Sequence, residues 1–247
     1  MHSDRRKKQP KSIRRTPRRQ DPRRAGFQAF HSSDFAGAIQ AWSRLNPADE
    51  PRLASMLAEA HFRQALSEKD RNRRMQCLAE ASELLPSEPR FWYHLGLTHH
   101  AGGSIAEAQT AYSRAAETGC TRTAFGYLRG LAALELNPQV DLDSLPWLSA
   151  EDRQSLEPIA ALLAGHGEKV PAGATGRWVD LFKGKVAANP RFSIWHGLAL
   201  LQRGQPERAA EALALGQGVT LPGDAEWVRL FYYGLALTAG GNLEGAI

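Results

Sequence analysis

The chain has 247 residues, of which 43% are hydrophobic and 23% are charged, an ordinary balance for a water-soluble protein. No apolar stretch approaches the roughly 18 residues needed to cross a bilayer, so we expect no membrane span. The two cysteines, Cys77 and Cys120, lie far apart without a CxxC motif, so neither a disulfide framework nor a zinc site is indicated, and we expect a cytoplasmic location.

The net charge of +5 is divided unevenly along the chain. Residues 1–24 contain eleven Lys and Arg against Asp4 and Asp21, a local charge of +9, so the remainder carries −4. This segment has almost no apolar side chains, and we expect a disordered tail that attracts polyanions. Its cations are Arg5, Arg6, Lys7, Lys8, Lys11, Arg14, Arg15, Arg18, Arg19, Arg23 and Arg24.

After the tail, two units each read as a pair of helices with a small residue at the point where the helices cross. The first covers residues 25–47 and places Gly26 in its first helix and Trp42 in its second. The second unit carries Ala58 in its first helix. A four-residue insertion at 67–70 makes this second unit longer than the others.

Residues 88–120 form the clearest unit. The spacing of apolar residues predicts a first helix that starts near Pro89 and a second helix over residues 105–117. Gly102 and Gly103 supply the turn between them.

This third unit resembles the tetratricopeptide repeat, a 34-residue helix-turn-helix. His99 stands where an aromatic residue is usual and Cys120 where proline is usual, and the other seven of the nine pattern positions match. The matching residues are Trp92, Leu95, Gly96, Gly103, Ala108, Tyr112 and Ala115. The resemblance implies an all-α fold, a right-handed superhelical array of helix-turn-helix repeats.

A small residue recurs along the chain at intervals of one or two repeat lengths, which supports the same interpretation. In these repeats it allows two helices to cross closely, while a large side chain fills the space beside it. The recurring positions are Gly26, Ala58, Gly96, Gly130, Gly197 and Gly234.

Residues 123–189 fit the repeat pattern poorly. A first helix carries Gly130, and after a long connection a second helix is capped by Ser149 and is split or bent at Pro158. Residues 165–176 are predicted to be a loop, and another amphipathic helix follows them.

Regular units resume at residue 190, and the last unit stops at Ile247 as its second helix begins. Because an array normally finishes with a polar-faced capping helix, we expect this sequence to be the front part of a longer protein. The apolar first helix around residues 231–237 is then expected to cause self-association. The predicted organisation is a tail over 1–24, three repeats over 25–122, degenerate repeats over 123–189, and repeats over 190–247 with the last one incomplete.

No motif in the sequence indicates catalysis or a cofactor. The nucleophile elbow, HExxH, the Walker loop and the dinucleotide fingerprint are all absent, so we expect no enzyme activity within the chain. The glycine-rich residues 165–176 include Lys169 but lack the GK[ST] ending of a phosphate loop, and we interpret them as a linker. His61, His99 and His100 could together suggest a metal site, but His61 and His99 occupy the position of a packing aromatic, so these two are interpreted as core residues, not metal ligands.

The resemblance also implies a binding surface, because the first helices of such repeats line a concave groove. Arginines beside aromatic rings suit carboxylates and extended acidic peptides, since guanidinium groups form bidentate pairs with carboxylates. We expect a scaffold that binds a protein or peptide partner, while the alternative that these arginines only face solvent stays open. The candidate groove residues are Arg52, Glu59, Phe62, Arg63, Arg90, Tyr93, Leu97, His100, Arg191 and Gln202.

Two other functions also stay open. The tail could attach the protein to RNA, DNA, the ribosome or an anionic membrane surface, without base specificity because it has no interleaved Phe or Tyr. Alternatively, an enzyme domain could follow Ile247, and the repeats would then deliver its substrate.

Overall fold

The computed structural model describes residues 21–122, 124–164, 189–221, 225–242 and 245. Within these residues the chain forms eleven α-helices and two short 3-10 helices, Pro47–Asp49 and Leu142–Ser144, with no strand, so the predicted all-α array is confirmed. None of the described helices is long and apolar enough to cross a membrane. The helices are α1 Pro22–His31, α2 Phe35–Trp42, α3 Pro51–Ser67, α4 Arg71–Leu84, α5 Pro89–Ala101, α6 Ile105–Glu117, α7 Phe125–Leu136, α8 Ala150–Leu163, α9 Pro190–Gln202, α10 Pro206–Leu215 and α11 Ala225–Ala239.

Prolines and short polar side chains set the starts of these helices. Proline occupies the first turn of α1, α3, α5, α9 and α10, where its missing N–H has no intrahelical bond to lose. The Asp34 carboxylate accepts a hydrogen bond from Gly37 N at 2.9 Å, and Ser149 Oγ accepts one from Asp152 N at 3.0 Å. The predicted cap at Ser149 is therefore confirmed.

Neighbouring helices pack in pairs, α1 with α2, α3 with α4, α5 with α6, α7 with α8, and α9 with α10. Gly26, Gly96, Gly130 and Gly197 sit at the crossings, as predicted. A Cβ on Gly26 would lie 2.2 Å from Trp42 Nε1, and one on Gly197 would lie 2.6 Å from Leu213 Cγ. Since real Cβ atoms do not approach other atoms so closely, only glycine allows these two pairs to pack as they do.

The predicted insertion in the second unit lengthens its first helix. Helix α3 has 17 residues where α5 has 13, so the four extra residues add about one turn before α3 ends at Ser67. Arg74 stabilises the connection that follows, because its Nε donates to Glu68 O at 3.2 Å.

Two helices differ from the predictions, one in its continuity and one in its starting residue. Helix α8 is continuous through Pro158, which does not split it. Proline removes one backbone hydrogen bond, and packing of α8 against α7 keeps the rest of the helix formed. Helix α1 begins at Pro22, inside the predicted tail of residues 1–24. The predicted linker over 165–176 lies outside the described residues.

Helix α9 packs directly against α5, although a long stretch of chain separates them. The rings of His100 in α5 and Phe192 in α9 have centroids 4.9 Å apart. Asn189 Nδ2, just before α9, donates to Ala101 O at 3.3 Å. The end of α5 is therefore covered by α9, and one hydrophobic core extends from α5 to α11.

Candidate functional site

Helices α3 and α5 meet through a group of aromatic rings. The Phe62 ring of α3 lies 5.1 Å from the Phe91 ring and 5.1 Å from the His94 ring of α5, measured between centroids. Tyr93 lies beside His94, at 5.2 Å. Phe62 and Tyr93 are buried, so these rings form a packed base beneath the charged side chains that reach solvent.

Arg90 is fixed on this base by stacking and by charge. Its guanidinium carbon lies 5.4 Å from the Phe62 ring centroid and 5.6 Å from that of Phe91. Nε donates to Glu88 Oε1 at 2.8 Å, and Nη2 donates to Glu59 Oε2 at 3.4 Å. The hydrogen bond from Arg90 lowers the pKa of Glu88 by more than partial burial raises it, so both groups are charged at neutral pH.

Arg122 lies on the connection between α6 and α7 and contacts the same group of rings. Its guanidinium carbon is 4.9 Å from the Tyr93 ring centroid. Arg122 is exposed, and no carboxylate of the described residues pairs with it. Burial lowers the pKa of His94 to about 4, with further contributions from the positive charges of Arg122 and Arg90, so His94 is neutral at pH 7.

Arg52 and Arg63 lie on the face of α3 that also carries Glu59. Arg63 Nε donates to Glu59 Oε1 at 2.6 Å, and Arg52 is exposed near the start of the helix. Four arginines thus accompany two carboxylates, Glu59 and Glu88, which makes this face positively charged. We define the arginine–aromatic surface as Arg52, Glu59, Phe62, Arg63, Glu88, Arg90, Tyr93, His94 and Arg122.

A second polar group is buried where α5, α7 and α9 meet. Glu135 of α7 accepts hydrogen bonds from Trp195 Nε1, at 3.1 Å, and from Arg191 Nη1. His100 Nε2 of α5 lies 3.4 Å from Glu135 Oε1. Arg191 Nη2 also donates to Thr220 O at 2.7 Å. We define the buried junction as His100, Glu135, Arg191, Trp195 and Thr220.

Glu135 is the acidic member of the buried junction. Burial raises the pKa of Glu135, but His100, Arg191 and Trp195 together outweigh burial, and the net shift is downward. Glu135 is therefore ionised at neutral pH and is a counterion for Arg191. Burial raises the pKa of Tyr112 well above 10.0, so its hydroxyl stays protonated and can donate to His100 Nδ1 across 3.4 Å.

The structure places the predicted groove residues in two separate locations. His100 and Arg191 lie in the buried junction, where His100 is fully buried and Arg191 lines a pocket between the end of α5 and the start of α9. Leu97 is half-buried against the core, and the side chain of Gln202 is outside the described part of the structure. Whether any of these residues binds a partner stays a prediction. Those at the arginine–aromatic surface are Arg52, Glu59, Phe62, Arg63, Arg90 and Tyr93.

Most of the predicted polyanion-binding tail lies outside the described residues. Arg23 and Arg24 are exceptions, because both belong to α1. Arg23 Nη1 donates to Glu50 Oε2 at 2.9 Å, so this cation has a partner within the folded part. The undescribed tail cations are Arg5, Arg6, Lys7, Lys8, Lys11, Arg14, Arg15, Arg18 and Arg19.

Four charged or titratable residues of these two groups were missed by the sequence analysis, namely Glu88, His94, Arg122 and Glu135. His94 follows a predicted groove position and was not considered, while Arg122 lies in a connection outside the repeat pattern. Glu135 carried a signal that was overlooked, since it is the one charged residue in the apolar run from Leu131 to Leu136. A lone carboxylate in such a run has to be buried with a cationic partner or exposed at a helix edge.

The histidines do not form a metal centre in the part of the chain that the structure describes. No group of three or more His, Cys, Asp or Glu side chains there is arranged to hold a metal ion. His61 Nδ1 instead lies 2.8 Å from Glu80 Oε2, and His100 belongs to the buried junction.

Comparisons with known proteins add little to this description. No family model matches the chain, and no curated protein sequence matches it. Among solved structures, a chain from Naa15/Naa10 bound to HypK-THB is similar, with 13% sequence identity and a TM-score of 0.32. The similarity covers 91% of this chain and 34% of that chain. A similarity this small carries no argument about function.

Proposed function

We propose that this chain is a non-catalytic, tetratricopeptide-like scaffold whose arginine–aromatic surface binds an extended, acidic segment of a partner protein. The observation that carries the proposal is the fixed position of the guanidinium groups. Arg90 lies over Phe62 and Phe91, and Arg122 lies over Tyr93, so neither side chain has to be ordered when a partner binds.

The charge pattern of this surface favours a carboxylate-bearing partner. Glu59 and Glu88 already occupy part of the hydrogen-bonding capacity of Arg63 and Arg90. Arg122 has an open guanidinium and is therefore the group that a partner carboxylate would engage first. A planar guanidinium can bind a carboxylate through two parallel hydrogen bonds, which gives direction as well as attraction.

The tetratricopeptide-like and non-catalytic parts of the proposal are supported by the paired helices. Glycine at the crossings beside Trp42, Tyr112 and Leu213 supports a tetratricopeptide-like hairpin, since each pair lies 16 residues apart. Scaffolds of stacked helical hairpins present broad surfaces to partners and need no catalytic group. A cytoplasmic location and a protein partner belong to the same proposal.

A direct binding measurement tests this function. The probe is a fluorescein-labelled peptide in which Glu alternates with Ser, and the matched probe has Gln at every Glu position. We expect the Glu peptide to bind more tightly, and we expect Arg122→Gln to weaken it about tenfold, the loss of about one charge-assisted hydrogen bond.

Arg73→Gln is the matched control, because Arg73 is exposed on α4 and does not belong to the arginine–aromatic surface. This variant should bind the Glu peptide as the unaltered protein does. Equal binding of the two peptides, or an unchanged affinity in Arg122→Gln, would contradict the proposal.

A second candidate function uses the positive charge that is concentrated at the start of the chain. Nine cations within residues 1–20, against a single Asp4, would attract RNA, DNA or an anionic lipid surface by counterion release. This function and the scaffold function are compatible, since they use different parts of the chain. Delivery of a substrate to an enzyme domain of a longer protein would use the same arginine–aromatic surface.

A further inference from the structure

Next to the arginine–aromatic surface is a pocket of about 340 Å³. It lies between the end of α6, the start of α7 and the segment that leads into α8. Arg122 stands at the boundary, because it contacts the Tyr93 ring and also lines the pocket. The wall residues used here are Cys120, Arg122, Arg129, Trp147 and Asp152.

Arg129 is half-buried in this pocket and has few partners. Its guanidinium carbon lies 4.1 Å from the Trp147 ring centroid, a close stacking contact. Nη2 reaches Ser113 Oγ at 3.4 Å, a long hydrogen bond, and the buried Nε has no hydrogen-bond partner. Burial lowers the pKa of Arg129, opposed by the negative charge of Glu117, so the guanidinium is a cation in need of a counterion.

The carboxylates nearby form no ion pair with Arg129. Asp152 lines the pocket, but its Oδ2 accepts a hydrogen bond from Ser149 Oγ at 2.7 Å and the residue has further interactions. Glu117 is paired with Arg114 at 3.0 Å. Two arginines of the pocket wall, Arg122 and Arg129, are therefore not paired with any carboxylate of the described residues.

We propose that this pocket binds one oxyanion group, a carboxylate or a phosphoryl group, held between the guanidinium groups of Arg122 and Arg129. The inference rests on the proposed scaffold function, in which this oxyanion anchors one end of the partner segment. Each guanidinium group presents its N–H donors in one plane. Carboxylates and phosphoryl groups both accept paired hydrogen bonds from donors arranged in this way. Trp147 holds the Arg129 plane in place, so binding costs little side-chain entropy.

Nuclear magnetic resonance of the arginine Nε–H groups tests the pocket with small anions. The probes are inorganic phosphate and acetate, each compared with sodium chloride at the same ionic strength. We expect the Nε–H signals of Arg122 and Arg129 to shift in a saturable way at millimolar concentration, while the signal of Arg114 follows only ionic strength.

Variants separate a binding role from a structural one. Arg129→Lys keeps the charge but loses the planar fork, so we expect the saturable shift of Arg122 to weaken at least tenfold in it. Arg129→Gln should abolish that shift, and thermal unfolding of both variants checks that the fold is intact. Arg122→Gln, at an exposed position, provides the same test on the Arg129 signal and removes only the contact of Arg122 with the Tyr93 ring.

The outcomes are distinct. Saturable shifts with both anions support a general oxyanion pocket, and a shift with phosphate alone assigns the pocket to phosphoryl groups. Shifts at Arg122 and Arg129 that match sodium chloride would overturn the inference. Because the probes are free anions, the pocket can be confirmed even if the Glu peptide fails to bind, and that combination would reject the scaffold function alone.

Discussion

Gly96 of α5 lies directly against the ring of Tyr112 in α6, so that a Cβ at position 96 would come within 2.6 Å of Tyr112 Cδ1. Tyr112 is fully buried, and so is Ala108 one turn before it. The third hairpin is therefore closed by an aromatic ring packed on bare backbone, and the ring has no room to move away.

Replacing Gly96 with leucine should destabilise the protein. The new side chain has to displace Tyr112, and overpacking of this kind costs roughly 1 to 3 kcal/mol or more. Urea unfolding followed by circular dichroism measures the loss. Ala106→Leu on the exposed side of α6 is the control and should change stability by less than about 0.5 kcal/mol. An unfolding midpoint that does not move in Gly96→Leu would show that the crossing is misplaced.

A single substitution in the buried junction should cause a large loss of stability. Glu135→Gln leaves the Arg191 guanidinium buried without its counterion, which costs about 3 to 5 kcal/mol. The double variant Glu135→Leu with Arg191→Met removes both charges and should be markedly more stable than Glu135→Gln. If the single and double variants unfold at the same urea concentration, the two side chains do not depend on each other.

The helical hairpins could be predicted because they depend on spacing within about 16 residues. Gly96 and Tyr112 recur at that interval as Gly26 with Trp42, and the same geometry follows wherever the pattern is kept. The fold class needed no knowledge of distant contacts. The predicted split of α8 at Pro158 does not occur, because the local cost of proline is offset by the packing of α8 on α7, which the local sequence does not reveal.

The candidate site was predicted only in part, because the sequence pattern reveals contacts between successive repeats but not contacts between distant helices. Arg90 and Phe62 belong to successive repeats, so their positions in the repeat place them near each other. His100 and Arg191 are separated by the degenerate stretch, and nothing in the spacing indicates that α9 covers the end of α5. Their shared partner Glu135 lies in that irregular part, where the repeat pattern gives no guidance.

Acid should weaken the fold partly through His94. Its pKa is lowered from 6.5 to about 4, so the unfolded chain binds more protons than the folded protein between these values. Stability therefore falls as pH falls from 6.5 toward 4, by up to about 2 kcal/mol at pH 5 from this residue. In His94→Gln the difference between urea midpoints at pH 7 and pH 5 should shrink, whereas His31→Gln, at an exposed position of α1, should behave as the unaltered protein.

Two truncations separate the tail from the first helix. Deleting residues 1–20 should leave the unfolding midpoint unchanged and remove most binding to single-stranded RNA at low salt, since nine cations are lost. Deleting residues 1–24 also removes the Asp21 cap of α1 and the Arg23 pair with Glu50, so it should lower stability by about 1 kcal/mol. RNA binding that survives the shorter deletion, measured by anisotropy, would place the polyanion site in the folded part.

The outer face of α11 should cause the protein to associate with itself. Phe231 and Leu235 lie one turn apart and are 48% and 43% exposed, and Leu230 beside them is 53% exposed, while Leu237 faces the core. Because soluble monomers rarely leave such contiguous apolar patches uncovered, we expect a second copy of the chain to cover this one. Sedimentation velocity should show a concentration-dependent increase in mass that the double variant Phe231→Lys with Leu235→Lys removes. Leu136→Lys, at an isolated position that is 55% exposed, is the control and should associate normally. A protein that sediments as a monomer at every concentration would mean that the α11 face is too small to hold two copies together.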